Sequence, residues 1–233
     1  MHIPDGLIDG GTSLAGGAIA TGGVALCLHR TKQLLDDRQV PMVGLTAAFV
    51  FAAQMINFPV AGGTSGHLLG GVLAAVLVGP WAGALAVTVV LIVQAFLFAD
   101  GGLSALGLNV INMALVGALA GYAVFVAFRA VLPRTKSALV FASGIAAALA
   151  PVMAAVVFTF EYAVGGNGAA SVGAVGTAMV GTHVLIGVGE GVITAMTVSA
   201  VLATRPDLVF GARALGTPGR VRHEAIESAG ATS

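Results

Sequence analysis

Charge is what this chain has least of. Lys and Arg number 10, Asp and Glu 10, so only 9% of the 233 residues are charged and the formal net charge is zero. A water-soluble domain needs roughly a quarter charged residues to cover its surface, so a globule facing water is excluded. With no net positive charge there is no basic surface to suggest nucleic acid as a partner. Cysteine is almost missing as well. Cys27 is the single one, set in an apolar run, which rules out an internal disulfide and leaves the redox compartment open. No G-x-x-x-x-G-K-[ST] phosphate loop occurs, so any ATP-driven process has its hydrolysis on another chain.

What fills the chain instead is hydrocarbon: 58% of residues are hydrophobic and the mean hydropathy is +1.00. Apolar stretches run roughly over 12–29, 41–58, 67–79, 81–98, 107–129, 137–163 and 177–204. At 1.5 Å per residue most are long enough to cross a hydrocarbon core of about 30 Å. They predict an all-α protein of the cell membrane with about seven transmembrane helices, residues 1–204 forming one transmembrane binding domain. The third stretch is short and follows Phe58-Pro-Val-Ala-Gly-Gly-Thr-Ser-Gly66. The free backbone groups of such a loop cannot face lipid, so it is expected to fold back into the bundle or line a cavity. The 34 glycines let helix backbones approach closely; Gly16 with Ala20, Gly117 with Gly121 and Gly187 with Gly191 read as ordinary helix packing.

The basic residues set an orientation. With the N-terminus outside, the inner segments are 30–40, 80, 130–136 and 205–233. They hold or border Arg30, Lys32, Arg38, Arg129, Arg134, Lys136, Arg205, Arg213, Arg220 and Arg222, which is every basic residue of the chain. The outer segments hold acids such as Asp5, Asp9 and Asp100. The residues after Arg205 are polar with alternating charge and predict a flexible cytoplasmic tail, 205–233, without a further domain.

The start, Met1-His-Ile-Pro-Asp-Gly6, has no basic side chain and its apolar run begins only after Asp9, so it is no signal peptide. A bulky second residue such as His2 also keeps the initiator methionine, which leaves a free amine beside an imidazole on the outer face. The Met1 amine, the deprotonated His2 amide nitrogen and the His2 ring Nδ1 can bind one divalent ion in two fused chelate rings. Three corners of a square are then filled, the tetragonal nitrogen geometry that Ni(II) and Cu(II) prefer and Co(II) accepts. Pro4 lacks an N–H and limits how far the peptide can wrap, so the fourth nitrogen comes from elsewhere. Of the remaining histidines, His29 and His223 read as solvated. His67 follows the Gly-Gly-Thr-Ser-Gly loop at the outer side and is the better ligand; His183, beneath the outer surface in the last helix, is the reserve. All of these nitrogens must be deprotonated to bind, so capture is expected to weaken steeply in mild acid.

The start MHIPDG, the loop FPVAGGTSGHLLGG (58–71), the run VLIVQAFLFADGGLSALGLNVINM (90–113) and THVLIGVGEGVITA (182–195) together resemble the CbiM/NikM family. These are the substrate-specific components of energy-coupling factor importers for cobalt and nickel. The resemblance covers roughly residues 1–200 and implies seven helices. It also implies a metal site of four nitrogens, here Met1, His2 and His67. The metal is cargo, Ni(II) or Co(II), and no resident cofactor is implied. Met-His-Ile-Pro-Asp-Gly and His67-Leu68-Leu69 are more similar to the nickel type than to a cobalt branch with proline after the loop histidine. The implied partners are two ATPase subunits and a transmembrane coupling subunit; any small accessory membrane subunit is a separate chain.

Around the site, Asn109 and Asn112 stand one turn apart, level with His67, and could fix its ring; Ser65 and His183 complete the candidate supporting set. Gln54, Asn57 and Gln94 read as helix glue. Glu190 is costly to bury. Counted down its helix it lies about 20 Å below the outer end, too deep for a ligand, and a His183–Glu190 polar spine is expected, with Glu161 as another partner for His183. Asp5 and Asp9 could draw cations to the mouth. Two other classes compete. Gly63-Thr-Ser-Gly66 matches the GxSG pattern of rhomboid intramembrane proteases, with His183 as base to Ser65; a stand-alone cation transporter is the other.

Overall fold

The structure is a computed structural model and describes residues 1–35, 39–60 and 64–215. Helix starts follow local chemistry. Asp9 caps α1 (Gly10–Leu34) by accepting from the Gly11 and Thr12 amides, and Thr135 and Ser171 cap α7 (Lys136–Gly165) and α8 (Val172–Thr204). Prolines open α2 (Val40–Gln54) and α4 (Pro80–Leu97), where a missing N–H costs nothing. Between them lies α3 (Gly71–Val78). The remaining rod, Leu106–Val131, is α5 (Leu106–Asn109), a π-helical stretch (Val110–Ala120) and α6 (Gly121–Val131).

Each predicted apolar stretch coincides with a helical segment, and five are long and apolar enough to cross a membrane: α1, α4, the Leu106–Val131 rod, α7 and α8. The protein is thus a multi-pass membrane protein. α2 has 15 residues. α3 has 8, all buried, and at 1.5 Å per residue its length of about 12 Å falls far short of a bilayer. It is an internal plug rather than a span. It also begins at Gly71 instead of 67, because Gly70 takes a left-handed conformation (φ 72°) that ends the extended segment before it. Close backbone approach seats it, since a Cβ on Gly71 would fall 2.5 Å from the Gly117 carbonyl carbon.

One end of the bundle gathers residues 1–9, the loop 98–105 and the loop 166–171, with Asp5, Asp9 and Asp100. Its backbone is stitched by Gly102 N–H to Ile3 O (2.8 Å), Asp9 N–H to Gly165 O (2.7 Å) and Asn167 N–H to Leu7 O (2.9 Å). The opposite end carries every described basic residue: Arg30, Lys32, Arg129, Arg134, Lys136, Arg205 and Arg213. Arg38, Arg220 and Arg222 lie outside the described residues. There two 3-10 turns, Pro206–Leu208 and Phe210–Leu215, continue past α8. Val209 is buried, and Phe210 packs beside Gly79 and Tyr122. Apolar burial therefore extends order beyond the expected boundary at 204; residues 216–233 of the predicted tail are outside the description.

Candidate metal centre

The N-terminal peptide is drawn into the bundle. Met1, His2 and Ile3 are 0%, 3% and 0% exposed. Ile3 is held on both sides: its N–H donates to Asn109 Oδ1 (2.8 Å), and its carbonyl accepts from Gly102 N–H (2.8 Å) and Asn109 Nδ2 (3.3 Å). Asp5 Oδ1 accepts from the Ser104 amide at 2.8 Å. Gly101 (φ 94°) needs its lack of a side chain twice over, since a Cβ there would lie 2.9 Å from His2 Nδ1.

His67 arrives from the other direction. Strands β1 (Phe58–Pro59) and β2 (Ser65–Gly66) pair antiparallel, Phe58 opposite Gly66 and Pro59 opposite Ser65, and deliver His67 into the interior fully buried. Its Nδ1 donates to the Leu68 carbonyl at 2.8 Å. That bond fixes the tautomer, leaving Nε2 with a bare lone pair, and Nε2 has no hydrogen-bond partner. The rings of His2 and His67 stack with centroids 4.5 Å apart and planes at 28°.

Burial disfavours the protonated form of these nitrogens. It lowers the pKa of the Met1 amine well below 8.0, with the charges of Asp100 and Glu190 acting in the opposite direction. It pushes His2 down to about 2, the amine's charge contributing next, and it lowers His67 in the same way. His2 Nε2 lies 3.5 Å from Asp100 Oδ2. With a neutral ring and no hydrogen-bond alignment, this is a contact rather than an ion pair. Asp100 in turn accepts from Asn57 Nδ2 at 2.8 Å. A cleft lined by His2, Pro4, Asp5, Ser65, Asp100 and Gly101 opens beside the His2 ring. Among the described residues no group of three or more His, Cys, Asp or Glu side chains gathers as a metal site.

The sequence pattern described as "CbiM: Cobalt uptake substrate-specific transmembrane region" matches residues 2–208. The chain belongs to the CbiM family. Among its relatives, the cobalt transport protein CbiM of Sorangium cellulosum is 37% identical, over 90% of this chain and 94% of its own. The fused nickel transport protein NikMN of Rhodobacter capsulatus is 41% identical over 54% of this chain and 36% of its own. A crystal structure of a truncated transition metal transporter superposes with a TM-score of 0.80 at 30% identity, covering 87% of this chain and 99% of that one. This CbiM-family chain is accordingly a membrane component of nickel or cobalt transport, a transporter rather than an enzyme.

Several supporting residues of this CbiM-type protein sit elsewhere than expected. Asn109 secures Ile3, one residue after His2, and not the His67 ring. Asn112 Nδ2 donates to Glu161 Oε2 at 2.7 Å. The π-helical winding that starts at Val110 closes i→i+5 and turns the two asparagines off a common line. Ser65 lines the cleft. His183 Nδ1 donates to Met179 O within its own helix (2.7 Å), so neither the His183–Glu190 spine nor a His183–Glu161 pair forms. Ser65 Oγ and His183 Nε2 both lack hydrogen-bond partners, so no serine–histidine dyad exists either; Gly63 of that motif lies outside the described residues. His29 contacts Gln33 on an exposed surface (3.0 Å), and His223 is outside the description.

Two features escaped the sequence reading. Asp100 stands against His2, and the only signal was the Asp-Gly-Gly turn after a helix. Glu190 is the other: its oxygens accept from Leu69 N–H (2.7 Å) and Gly70 N–H (2.9 Å). Depth counted along α8 had set it apart from the site. Its depth does not separate it from the chain that follows His67, because that non-helical segment is itself carried into the bundle interior.

Proposed function

We propose that this chain is the metal-capturing subunit of an ATP-driven energy-coupling factor importer, holding Ni(II), or Co(II), in a square of four nitrogens. The donors are the Met1 amine, the His2 amide nitrogen, His2 Nδ1 and His67 Nε2. The observation that carries the reading is the buried, unpartnered Nε2 of His67, in a ring stacked on His2. A lone pair in that state is a cost without a partner, and a divalent ion supplies one. Nitrogen donors in a tetragonal array favour nickel, as do the Met-His-Ile-Pro-Asp-Gly start and the leucine after His67. Asn109 supports the chelate by fixing Ile3, and Asp100 faces the far side of the His2 ring as carboxylates do behind metal-bound histidines.

The excess of basic residues at one end makes that end cytoplasmic and puts the capture site outside. Uptake then needs two ATPase subunits and a transmembrane coupling subunit as separate chains. The fused nickel transport relative, much longer than its matched part, supports partner segments beyond this domain. The test is Ni(II) titration of purified protein with a native N-terminus against protein carrying one extra residue before Met1. One ion per chain with a square-planar nitrogen spectrum is expected for the first. The second should lose binding altogether, because the amine no longer reaches its corner. Equal binding by both would sink the reading.

A further inference from the structure

The one acid of α8 is buried beneath the proposed site at 2% exposure. A carboxylate inside a membrane bundle persists only where its lone pairs are taken. Here two consecutive backbone amides take them, Leu69 N–H on Oε2 at 2.7 Å and Gly70 N–H on Oε1 at 2.9 Å. The left-handed Gly70 turns both N–H groups to one side, making the kind of concavity that binds anions. No side chain caps α3 from within its own segment. On the other flank Gln54 Nε2 donates to the Leu69 carbonyl at 2.6 Å, so α2 and α8 grip one peptide between them.

From that grip a short chain of constraints leads to the metal loop. Leu69 and Gly70 are fixed by Glu190; the preceding Leu68 carbonyl is the acceptor for His67 Nδ1; and that bond aims Nε2. We propose that Glu190 is a positioning residue for metal capture, holding the His67 segment through the Leu69 and Gly70 amides so that Nε2 stays beside the His2 ring. This rests on the reading of His67 as a ligand. It differs from a general packing role, because α3 itself is seated by other contacts, such as the approach of Gly71 to Gly117.

The test compares wild type, Glu190→Gln, His67→Ala and the double variant, each as the full chain with a native N-terminus and Ni(II) as the probe. Glutamine keeps the size but turns an N–H donor toward one of the two amide donors. Glu190→Gln should weaken Ni(II) binding about 10- to 100-fold, the range for residues that orient a ligand. Its spectrum should move toward that of His67→Ala, because the Met1–His2 chelate survives while the fourth nitrogen is lost. The double variant should bind no more weakly than His67→Ala alone, since a residue acting only through His67 has nothing left to position. Wild-type affinity in Glu190→Gln, or losses that multiply in the double variant, would overturn the proposal. If the glutamine variant does not fold, Glu190→Asp carries the comparison. Its shortened carboxylate reaches one amide instead of two, an intermediate loss is expected, and wild-type affinity there overturns the idea equally. If His67→Ala binds as wild type does, the nitrogen site itself is wrong and this role falls with it, a result distinct from failure of Glu190 alone.

Discussion

His67 in the extended segment and His183 in the middle of α8 are nearly the same group in two settings. Both are fully buried. Each donates Nδ1 to a backbone carbonyl, Leu68 O at 2.8 Å and Met179 O at 2.7 Å, and each leaves Nε2 without a partner. They differ in the backbone that carries them. His183 is tied to its own helix one turn back, so its ring follows the helix frame. His67 is carried by a non-helical segment whose direction other elements set, and its ring meets His2. Desolvation and a fixed tautomer thus do not tell the two histidines apart; contact with the His2 ring does.

Substitution breaks the pair apart most sharply. His67→Ala should weaken Ni(II) binding by at least about 100-fold, the top of the range for losing even a residue that merely orients a ligand, read by isothermal titration. Acid sharpens the contrast next. The amine and both rings of the metal-free protein have pKa values lowered from 8.0 and 6.5, so they hold fewer protons for the metal to displace than ordinary amines and imidazoles would. Affinity should still fall as pH drops from about 8 to 6, because binding displaces the His2 amide proton. The fall should be shallower than nitrogens with ordinary pKa values would give, and a slope as steep as theirs would contradict it. Stability takes the same sign. The unfolded chain gains protons at the amine below 8.0 and at the rings below 6.5 that the folded chain refuses, so the Tm of metal-free protein should drop as pH falls. The smallest effects belong to His183→Ala and Ser65→Ala. The first should lower Tm by removing a buried, bonded ring, yet leave Kd within about threefold, and the second should do neither, as its hydroxyl holds no hydrogen bond.

The helices were legible because lipid imposes a simple rule on composition; their starts were less so, since the caps Asp9, Thr135 and Ser171 carry that signal and hydropathy alone sets α8 to begin at 177 where it begins at Val172. The end of α2 and the start of α3 were misjudged, since the apolar run continues through Phe58 while the backbone leaves the helix at Gln54, and the left-handed Gly70 delays α3 to Gly71. Nothing local distinguishes an 8-residue plug from a short span; full burial does. The asparagines showed the same limit. Their type and level could be read, but the π-helical winding that sends Asn109 to Ile3 and Asn112 to Glu161 could not.

The sequence by itself determined the solvent, the succession of helices and the donor chemistry of Met1-His2, because these depend on composition and on atoms adjacent along the chain. Only the tertiary structure decided which buried histidine meets that donor set and what Glu190 does. The carboxylate of Glu190 and the Gly70 amide are 120 residues apart in the chain. Their pairing follows from how α8, α2 and the descending segment before α3 close on one another, since each buried polar group must find its partner within the bundle once lipid has replaced water around it.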